Sequence, residues 1–334
     1  MIEILSTAGM ASVQDIGRDN YLRYGVGNAG AMDRVALIAG NILLKNQDNA
    51  AAIEVVIFPF KVRFLEDTVY ALTGADANAE MDGESIPPYW VRQAKRNQVL
   101  TLSAPRSGAR VYLGVAGGID VPVVLGSRST QLRGEFGGHQ GRTLRQGDLL
   151  PVGSAQHPKS VGQANLGPGF GIGPPQISLP LGDAVGPSRT FVRVLPAAEY
   201  EYYEEESLDL FWSTDWKITS QSDRYGYRLT GNALVPKRDM ELRSHGIVPG
   251  VIQVPHNGQP IIQLRDAQPS GGYPKIGTVI EADLWRLGQA RPGSFLRFVE
   301  TSYEDALLAS HAVRDYLNRL RRLTDLYDLC GAQI

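Results

Sequence analysis

The sequence predicts a mainly β protein of barrel or sandwich type. Glycine (37 residues) and proline (20 residues) punctuate the whole 334-residue chain. Between them lie short runs rich in β-branched and aromatic residues, which is the pattern of strands bounded by turns. The regular alternation of strands and helices that marks a parallel α/β sheet is missing. The strand candidates, in chain order, are 61–74, 109–118, 189–196, 250–255, 260–264 and 294–300.

Two segments are predicted to be helices. The first runs from about Met32 to Leu44, and Asp33 lies in its first turn. The second covers 301–329, where Thr301 and Glu304 have the spacing of a capping box. Its apolar residues recur at helical spacing, which predicts a face that packs on the body of the protein. These residues are Ala306, Ala309, Val313, Tyr316, Leu320 and Leu323.

The segment 153–188 is the best domain boundary, because it is rich in Gly and Pro and lacks strong periodicity. Two similar motifs suggest that the halves on either side are distant copies, "SVQDIGR" at 12–18 and "SDRYGYR" at 222–228, although glycine-rich chains produce such matches by chance. The predicted organisation is an N-terminal β domain (1–152), a linker (153–188), a C-terminal β domain (189–300) and a C-terminal helix (301–334).

Composition and charge exclude several classes of protein. The chain is 43% hydrophobic and 20% charged, and its net charge of −2 does not favour a nucleic-acid or membrane-surface partner. Cys330 is the single cysteine, so an intrachain disulfide is impossible. The N-terminus has no basic region followed by a long apolar core, and no apolar run is long enough to span a membrane. These features favour a cytoplasmic protein.

Familiar catalytic motifs are missing from the sequence. It has no P-loop, no HExxH, no paired CxxC, no GxSxG and no Met-Lys pair of the kind that carries biotin. No metal site is therefore predicted. What remains is a set of polar residues on glycine-rich turns, which is typical of a site built from loops over a β scaffold.

The stretch 13–33 carries four polar candidates, Gln14, Asp15, Arg18 and Asp33. Arg18 has the planar guanidinium that binds a carboxylate or phosphate through two parallel hydrogen bonds. The alternative is that Asp15 and Arg18 brace their own turn, and both readings stay open. For Asp33 we favour a purely structural role as a charge at a helix N-terminus.

Two further loops supply charged candidates. In 115–130, Arg128 lies between Ser127 and Ser129, an arrangement that binds an anion or, as we favour, stabilises the loop itself. His245 precedes a glycine, where an imidazole titrates near neutrality if it is exposed. A solvated surface histidine is the alternative there.

The segment "QLRDAQPSGGYPKI" (263–276) combines an acid, an amide and a glycine pair at the end of a predicted buried strand. A strand end is where a rigid scaffold presents the carboxylate of Asp266 to a cleft. Gln268 can donate and accept hydrogen bonds, as recognition of an amide requires. Gly271 and Gly272 let the backbone approach a ligand closely. We favour this functional reading over a hairpin that only satisfies its own turn.

Seven motifs together resemble those of the KipA family, also called allophanate-hydrolase-subunit-2-like or biotin-dependent carboxyltransferase-like. They are "VQDIGR", "GAMDRVA", "LTGAD", "VAGGIDVPVVLGSRST", "SQSDRYGYRL", "SHGIVPGVIQVPHNGQPI" and "DAQPSGGYP". They span about residues 10–300. Within the family, the chain is most similar to the branch formed by the C-type subunits of bacterial 5-oxoprolinases.

This resemblance implies two cyclophilin-like β-barrel domains. It also implies one component of an ATP-dependent 5-oxoprolinase, a hydrolase that cleaves 5-oxoproline to L-glutamate and also contains an A-type subunit, together with a KipI-like B-type subunit. ATP is the expected cofactor of the complex. The matched motifs add Arg224, Tyr227, Gln253 and Tyr273 to Gln14, Asp15, Arg128, Gln268, Gly271 and Gly272 as expected substrate contacts. We expect Asp266 or His245 to move the proton, and Arg18, Arg224 or backbone N–H groups to meet the charge of a developing oxyanion.

The chain departs from the family pattern at two places. Pro269 stands where relatives commonly have threonine, and it removes a backbone N–H. Asp223 and Tyr225 replace Asn and Met, which puts an extra carboxylate beside Arg224. Two other functions stay open: a carboxyltransferase component that uses a separate biotin carrier, and a non-catalytic regulator that binds a KipI-type kinase inhibitor.

Overall fold

The computed structural model describes residues 1–154, 169–176, 189–238, 240 and 242–331, which fall into two compact units. Most of the predicted linker 153–188 lies outside the described residues. The first unit comprises Met1–Arg18, Ala29–Gln176 and Arg314–Ile334, and the second comprises Asp19–Asn28 and Ile177–Val313.

Each unit is built from segments that are separated in sequence. Residues 19–28 belong to the second unit, where a Cβ on Gly27 would lie 2.9 Å from the carbonyl oxygen of Ala267. The C-terminal helix contributes residues to both units. A propensity-based boundary cannot anticipate this arrangement, because it depends on contacts between residues far apart in sequence.

The first unit is built from two six-stranded sheets, ordered β11-β1-β4-β9-β6-β7 and β12-β8-β5-β10-β3-β2. The edge strands are only two or three residues long, and within the described residues the two sheets are separate. Both sheets contribute to one core that includes Ile4, Phe60, Leu72 and Leu113. The strands are β1 (Ile2–Thr7), β2 (Ser12–Gln14), β3 (Ala52–Val55), β4 (Phe60–Phe64), β5 (Thr68–Asp76), β6 (Ala79–Met81), β7 (Glu84–Ile86), β8 (Trp90–Ala94), β9 (Val99–Leu102), β10 (Ser107–Val115), β11 (Leu149–Leu150) and β12 (Phe170–Gly171).

The second unit is a closed seven-stranded barrel, ordered β13-β20-β17-β18-β15-β14-β21. Strands β13 and β21 pair in parallel and the other neighbours are antiparallel. Two further strands, β16 and β19, form a short ribbon. The strands are β13 (Arg189–Pro196), β14 (Trp216–Ile218), β15 (Gly226–Thr230), β16 (His245–Gly246), β17 (Val251–Gln253), β18 (Ile261–Gln263), β19 (Ser270–Gly271), β20 (Lys275–Val279) and β21 (Phe295–Glu300).

The mainly β prediction is confirmed, and each of the six strand candidates overlaps at least one observed strand. Alternation explains why these segments are strands: in β4 the phenylalanines and Val62 are buried whereas Lys61 is exposed. The barrel interior is filled by Trp216, Phe211 and Phe298, and the last two rings lie 4.8 Å apart.

Four α-helices lie in the described chain: α1 (Arg34–Leu43), α2 (Glu205–Ser213), α3 (Leu284–Gln289) and α4 (Tyr303–Gly331). Both predicted helices are present. Asp33 is the N-cap of α1, and its carboxylate accepts a hydrogen bond from the N–H of Ala36 at 2.8 Å. None of the helices in the described residues is both long and apolar enough to cross a membrane.

The N-terminus of α4 differs from the predicted capping box by one residue. Ser302 is the cap, since its Oγ accepts a hydrogen bond from the N–H of Asp305 at 3.1 Å. The helix therefore begins one position later than Thr301 and Glu304 require. The predicted apolar face holds at Ala309 and Leu320, which are buried, but Leu323 is 42% exposed and Thr324 lies inward in its place.

A buried ion pair joins the barrel to α3 in the second unit. Asp283 is fully buried and accepts hydrogen bonds from Nε and Nη2 of Arg193 at 2.9 and 2.7 Å, and from the Arg193 N–H at 2.8 Å. Arg286 contacts the same carboxylate at 3.2 Å. Because these charges are removed from water, the desolvation cost of each one is offset only by its attraction to the others.

We expect Asp283→Ala to lower the free energy of unfolding of the second unit by about 3–5 kcal/mol, because Arg193 would stay buried without its counter-ion. Urea unfolding followed by tryptophan fluorescence measures this change. Asp209→Ala removes an exposed carboxylate from α2 and is the control, with an expected change within about 0.5 kcal/mol. Equal effects of the two substitutions would contradict the prediction.

Candidate functional site

A buried ion pair fixes the start of the segment 266–275, which we call the lip. Arg224 donates from Nε and Nη2 to the two carboxylate oxygens of Asp266, both at 3.0 Å, and both side chains are buried. The N–H of Asp266 also donates to the carbonyl of Arg224 at 3.0 Å. Asp266 therefore anchors the lip, and its role as a proton carrier stays a prediction. Arg224 is likewise committed to this pair.

The ribbon of β16 and β19 continues the lip. His245 lies opposite Gly271 and Gly246 opposite Ser270, and the N–H of Ile247 donates to the carbonyl of Pro269 at 3.0 Å. An antiparallel pair in this register would return a bond from the opposite N–H, which Pro269 lacks. The ribbon therefore uses the carbonyl of Pro269 and is one hydrogen bond short at this point.

Two buried amides, those of Gln253 and Gln263, support the lip from beneath. Gln253 is 1% exposed, and its Oε1 accepts from Nε2 of Gln263 at 2.9 Å. Its Nε2 donates to the carbonyl of Tyr273 at 3.3 Å. A Cβ on Gly271 would lie 2.8 Å from the same Nε2. Gln253 and Gly271 therefore pack against each other, and their contact with substrate stays a prediction.

Gly272 has a similar structural role, because a Cβ at this position would lie 3.0 Å from the carbonyl oxygen of Leu242. Tyr227 lies in the interior of the second unit. It is 1% exposed, and its hydroxyl donates to the carbonyl of Ala290 at 3.0 Å. Strand alternation places this side chain in the barrel core, so it is not available to a ligand.

The outer surface of the lip carries accessible polar and aromatic groups. The hydroxyl of Tyr225 donates to Oε1 of Gln268, which is exposed. Among the described residues, Nε2 of Gln268 has no hydrogen-bond partner. Tyr273 is 45% exposed and meets the edge of His256 with ring centroids 6.3 Å apart. These groups can present amide and aromatic contacts to a small ligand.

His245 belongs to a polar chain that sequence patterns did not reveal. Its Nδ1 lies 2.9 Å from the carbonyl oxygen of Arg243, and its Nε2 contacts Nζ of Lys275. Nζ of Lys275 is 2.9 Å from Oε2 of Glu199. Glu199 and Lys275 were missed because Glu199 is 76 residues away in sequence and no local motif joins them.

In the first unit, Asp15 is the centre of a buried network. Its Oδ1 accepts from the N–H of Gly17 at 2.8 Å and the hydroxyl of Ser127 at 2.6 Å. The hydroxyl of Ser129 contacts the same oxygen, and the N–H of Arg128 donates to Oδ2 at 2.6 Å. Asp15 thus holds two distant loops together, and its carboxylate is engaged by protein groups.

Arg18 is 1% exposed, donates from Nη2 to the carbonyl of Ser129 at 2.6 Å and stacks 4.8 Å from the ring of Phe136. It braces the loop, as the structural alternative proposed, but its partner is Ser129 and not Asp15. Gln14 is fully buried and donates to Ser12 at 2.9 Å and to the Thr130 carbonyl at 3.3 Å. Neither side chain can reach a ligand from outside without rearrangement.

Unlike Gln14, Asp15 and Arg18, Arg128 is accessible from the surface, because it lines a polar surface cavity of about 410 Å³. Its guanidinium is nevertheless engaged by Asp120 at 2.9 Å and by the carbonyl of Val121 at 2.6 Å. The loop-stabilising alternative for Arg128 is thereby favoured. Within the described residues, no cluster of three or more His, Cys, Asp or Glu side chains could hold a metal ion.

We expect Gly271→Ala to destabilise the second unit by about 1–3 kcal/mol, because the new methyl group would overlap Nε2 of the buried Gln253. Gly246→Ala is a matched control in the same ribbon, since a Cβ there meets no atom within 4 Å. Urea unfolding of both variants measures the difference. Equal free energies of unfolding for the two variants would contradict the prediction, because they would show that the lip accommodates the extra methyl group at position 271 without loss of stability.

Comparison with known proteins agrees with this architecture. The profile of the carboxyltransferase domain, subdomain A and B, matches residues 24–300. The C subunit of the 5-oxoprolinase of Escherichia coli (strain K12) is 41% identical over 320 residues, which cover 96% of this chain and 97% of the relative. The corresponding subunit of Haemophilus influenzae is 39% identical and covers 97% and 99%.

A crystal structure of the K. lactis urea amidolyase superposes on 96% of this chain with a TM-score of 0.83 and 28% identity, and the match covers 20% of that longer protein. The profile match, the full-length relatives and the shared fold lead to one conclusion. The chain belongs to the family of carboxyltransferase domains with subdomains A and B.

Proposed function

We propose that this chain is the C-type subunit of an ATP-dependent 5-oxoprolinase, a complex that cleaves 5-oxoproline to L-glutamate. The observation that carries the proposal is the 41% identity to the corresponding E. coli protein, since the match covers nearly all of both chains. The similarity to the H. influenzae protein supports it independently. The chain would then be a component of a cyclic-amide hydrolase.

The proposal includes partners and a cofactor. The relatives are each named as one subunit of an enzyme, which implies that other subunits exist. The partners that we propose are an A-type subunit, together with a KipI-like B-type subunit. The complex would use ATP to drive lactam opening and would act in the cytoplasm. Lactam hydrolysis requires recognition of a ring carbonyl and the adjacent N–H, which is a task for neutral donors and acceptors.

The lip is the part of this chain that suits such recognition. Nε2 of Gln268 can donate to a lactam carbonyl, while Oε1 accepts from Tyr225 and has a second lone pair for a lactam N–H. The exposed ring of Tyr273 offers an apolar face to the ring of the substrate. Asp266 and Arg224 act indirectly in this scheme, since they hold the start of the lip.

A carboxyltransferase component is the second candidate, and the likeness to the K. lactis urea amidolyase favours it. A separate biotin carrier would have to supply the carboxyl group, because the chain has no Met-Lys pair. A third candidate is a non-catalytic regulator that binds a KipI-type kinase inhibitor. Urea-dependent consumption of carboxybiotin would favour the second candidate, and relief of kinase inhibition would favour the third.

The direct test is reconstitution of the complex from this chain and its two purified partner proteins. We expect release of glutamate from 5-oxoproline that depends on ATP and on this chain. Release that proceeds equally well without the chain, or no release with all three proteins present, would contradict the proposal.

Within an active complex, we expect Gln268→Ala to raise KM for 5-oxoproline about tenfold, since the amide would lose one or two hydrogen bonds to the substrate. Steady-state kinetics of glutamate release measure the change. Gln221→Ala removes another exposed amide of the second unit and should leave KM unaltered. An unchanged KM in both variants would exclude Gln268 as a substrate contact.

A further inference from the structure

Lys275 is a positioned cation at the lip, and an inference about its role deepens the proposed function and rests on it. Lys275 begins β20 and lies opposite Gln253. Its Nζ is 2.9 Å from Oε2 of Glu199, and its backbone N–H donates to the same oxygen at 3.1 Å. Glu199 therefore holds both the main chain and the side chain of Lys275.

The tautomer of His245 follows from its two contacts. A carbonyl oxygen only accepts, so the contact at 2.9 Å between Nδ1 and the Arg243 carbonyl requires a hydrogen on Nδ1. In a neutral ring Nε2 is then an acceptor, and the ammonium of Lys275 donates to it. The arrangement also argues that His245 is occupied by Lys275 and is not a free general base.

An ammonium group has three N–H donors, of which Glu199 and His245 engage two. The described residues offer no further partner to Nζ of Lys275. Its side chain is only 14% exposed, so the remaining donor is held at a restricted position and does not move freely in solvent. A preorganised charged donor of this kind stabilises an oxygen on which negative charge develops.

The other cations expected at the site are engaged by protein groups. Arg18 is buried under Phe136 and bonded to Ser129, and Arg224 is bonded to both oxygens of Asp266. We propose that Lys275 donates a hydrogen bond to the carbonyl oxygen of an amide or lactam substrate and stabilises the negative charge that develops there. Glu199 and His245 are the positioning residues that aim its third N–H.

The kinetic test uses Lys275→Met in the reconstituted complex. We expect kcat to fall about 100-fold or more with little change in KM, because the charge on the oxygen develops only in the transition state. Lys275→Arg should restore part of kcat, since it keeps a charged donor in a different shape. Lys217→Met removes an exposed lysine from β14 of the same barrel and should leave both constants unchanged. Full activity of Lys275→Met would overturn the inference.

A second readout does not depend on turnover. Long-range ¹H–¹⁵N spectra of the full chain report the ring nitrogens of histidine, and His245→Gln assigns the His245 signals. The probes are 5-oxoproline and 2-pyrrolidinone, a lactam without a carboxylate. We expect both probes to shift Nε2 of His245 in the wild-type chain and neither to do so in Lys275→Met. Lys275→Gln replaces Lys275→Met in both experiments if the methionine variant does not fold.

These outcomes separate the inference from the proposed function. An active wild-type complex with an equally active, folded Lys275 variant would refute the role of Lys275 and leave the function intact. An inactive wild-type complex would refute the function, and the spectra would then decide the inference alone. A shift with 5-oxoproline only would mean that Lys275 binds the carboxylate, and no shift with either probe would mean that it binds neither; both results overturn the inference.

Discussion

The buried pair of Arg224 and Asp266 is the constraint on which the candidate site depends. It joins the turn before β15 to the end of β18, and two parallel hydrogen bonds at 3.0 Å leave little rotational freedom. The ion pair therefore sets the position at which the rest of the lip begins, including the exposed amide of Gln268. The Coulombic attraction in a buried pair of this kind largely offsets the cost of desolvation, so its net contribution to the free energy of folding is small. Its main effect is to fix the positions of the two residues.

Two layers of interactions then build the lip. Beneath the lip, Gln263 donates to Gln253, which in turn donates to the carbonyl of Tyr273 and leaves room only for a glycine at position 271. On the outside, Glu199 and the ribbon strand that carries His245 converge on Lys275. Rigid support beneath accessible polar groups is the usual construction of a binding site, since it limits the entropy that a ligand must lose.

The first unit uses polar residues differently. Asp15 accepts hydrogen bonds from backbone and hydroxyl groups more than 100 residues away, and Arg18 closes the same loop. These residues form motifs as distinctive as those of the lip, yet their side chains face inward. A polar residue on a glycine-rich turn therefore has one of two roles, and burial distinguishes them: Asp15 and Arg18 are buried and brace loops, whereas Gln268 is exposed to solvent.

The sequence by itself determined the strand-forming segments, the two long helices, the C-terminal helix face at Ala309 and Leu320, and the family, because these depend on local propensity, periodicity and motifs. Tertiary structure alone decided which polar residues are exposed to solvent and which are buried. Tyr227 and Gln253 proved to be buried, and Lys275 with Glu199 emerged as the charged pair at the lip. The physical reason is that a hydrogen-bond network forms between residues far apart in sequence, and only strand pairing brings them within reach.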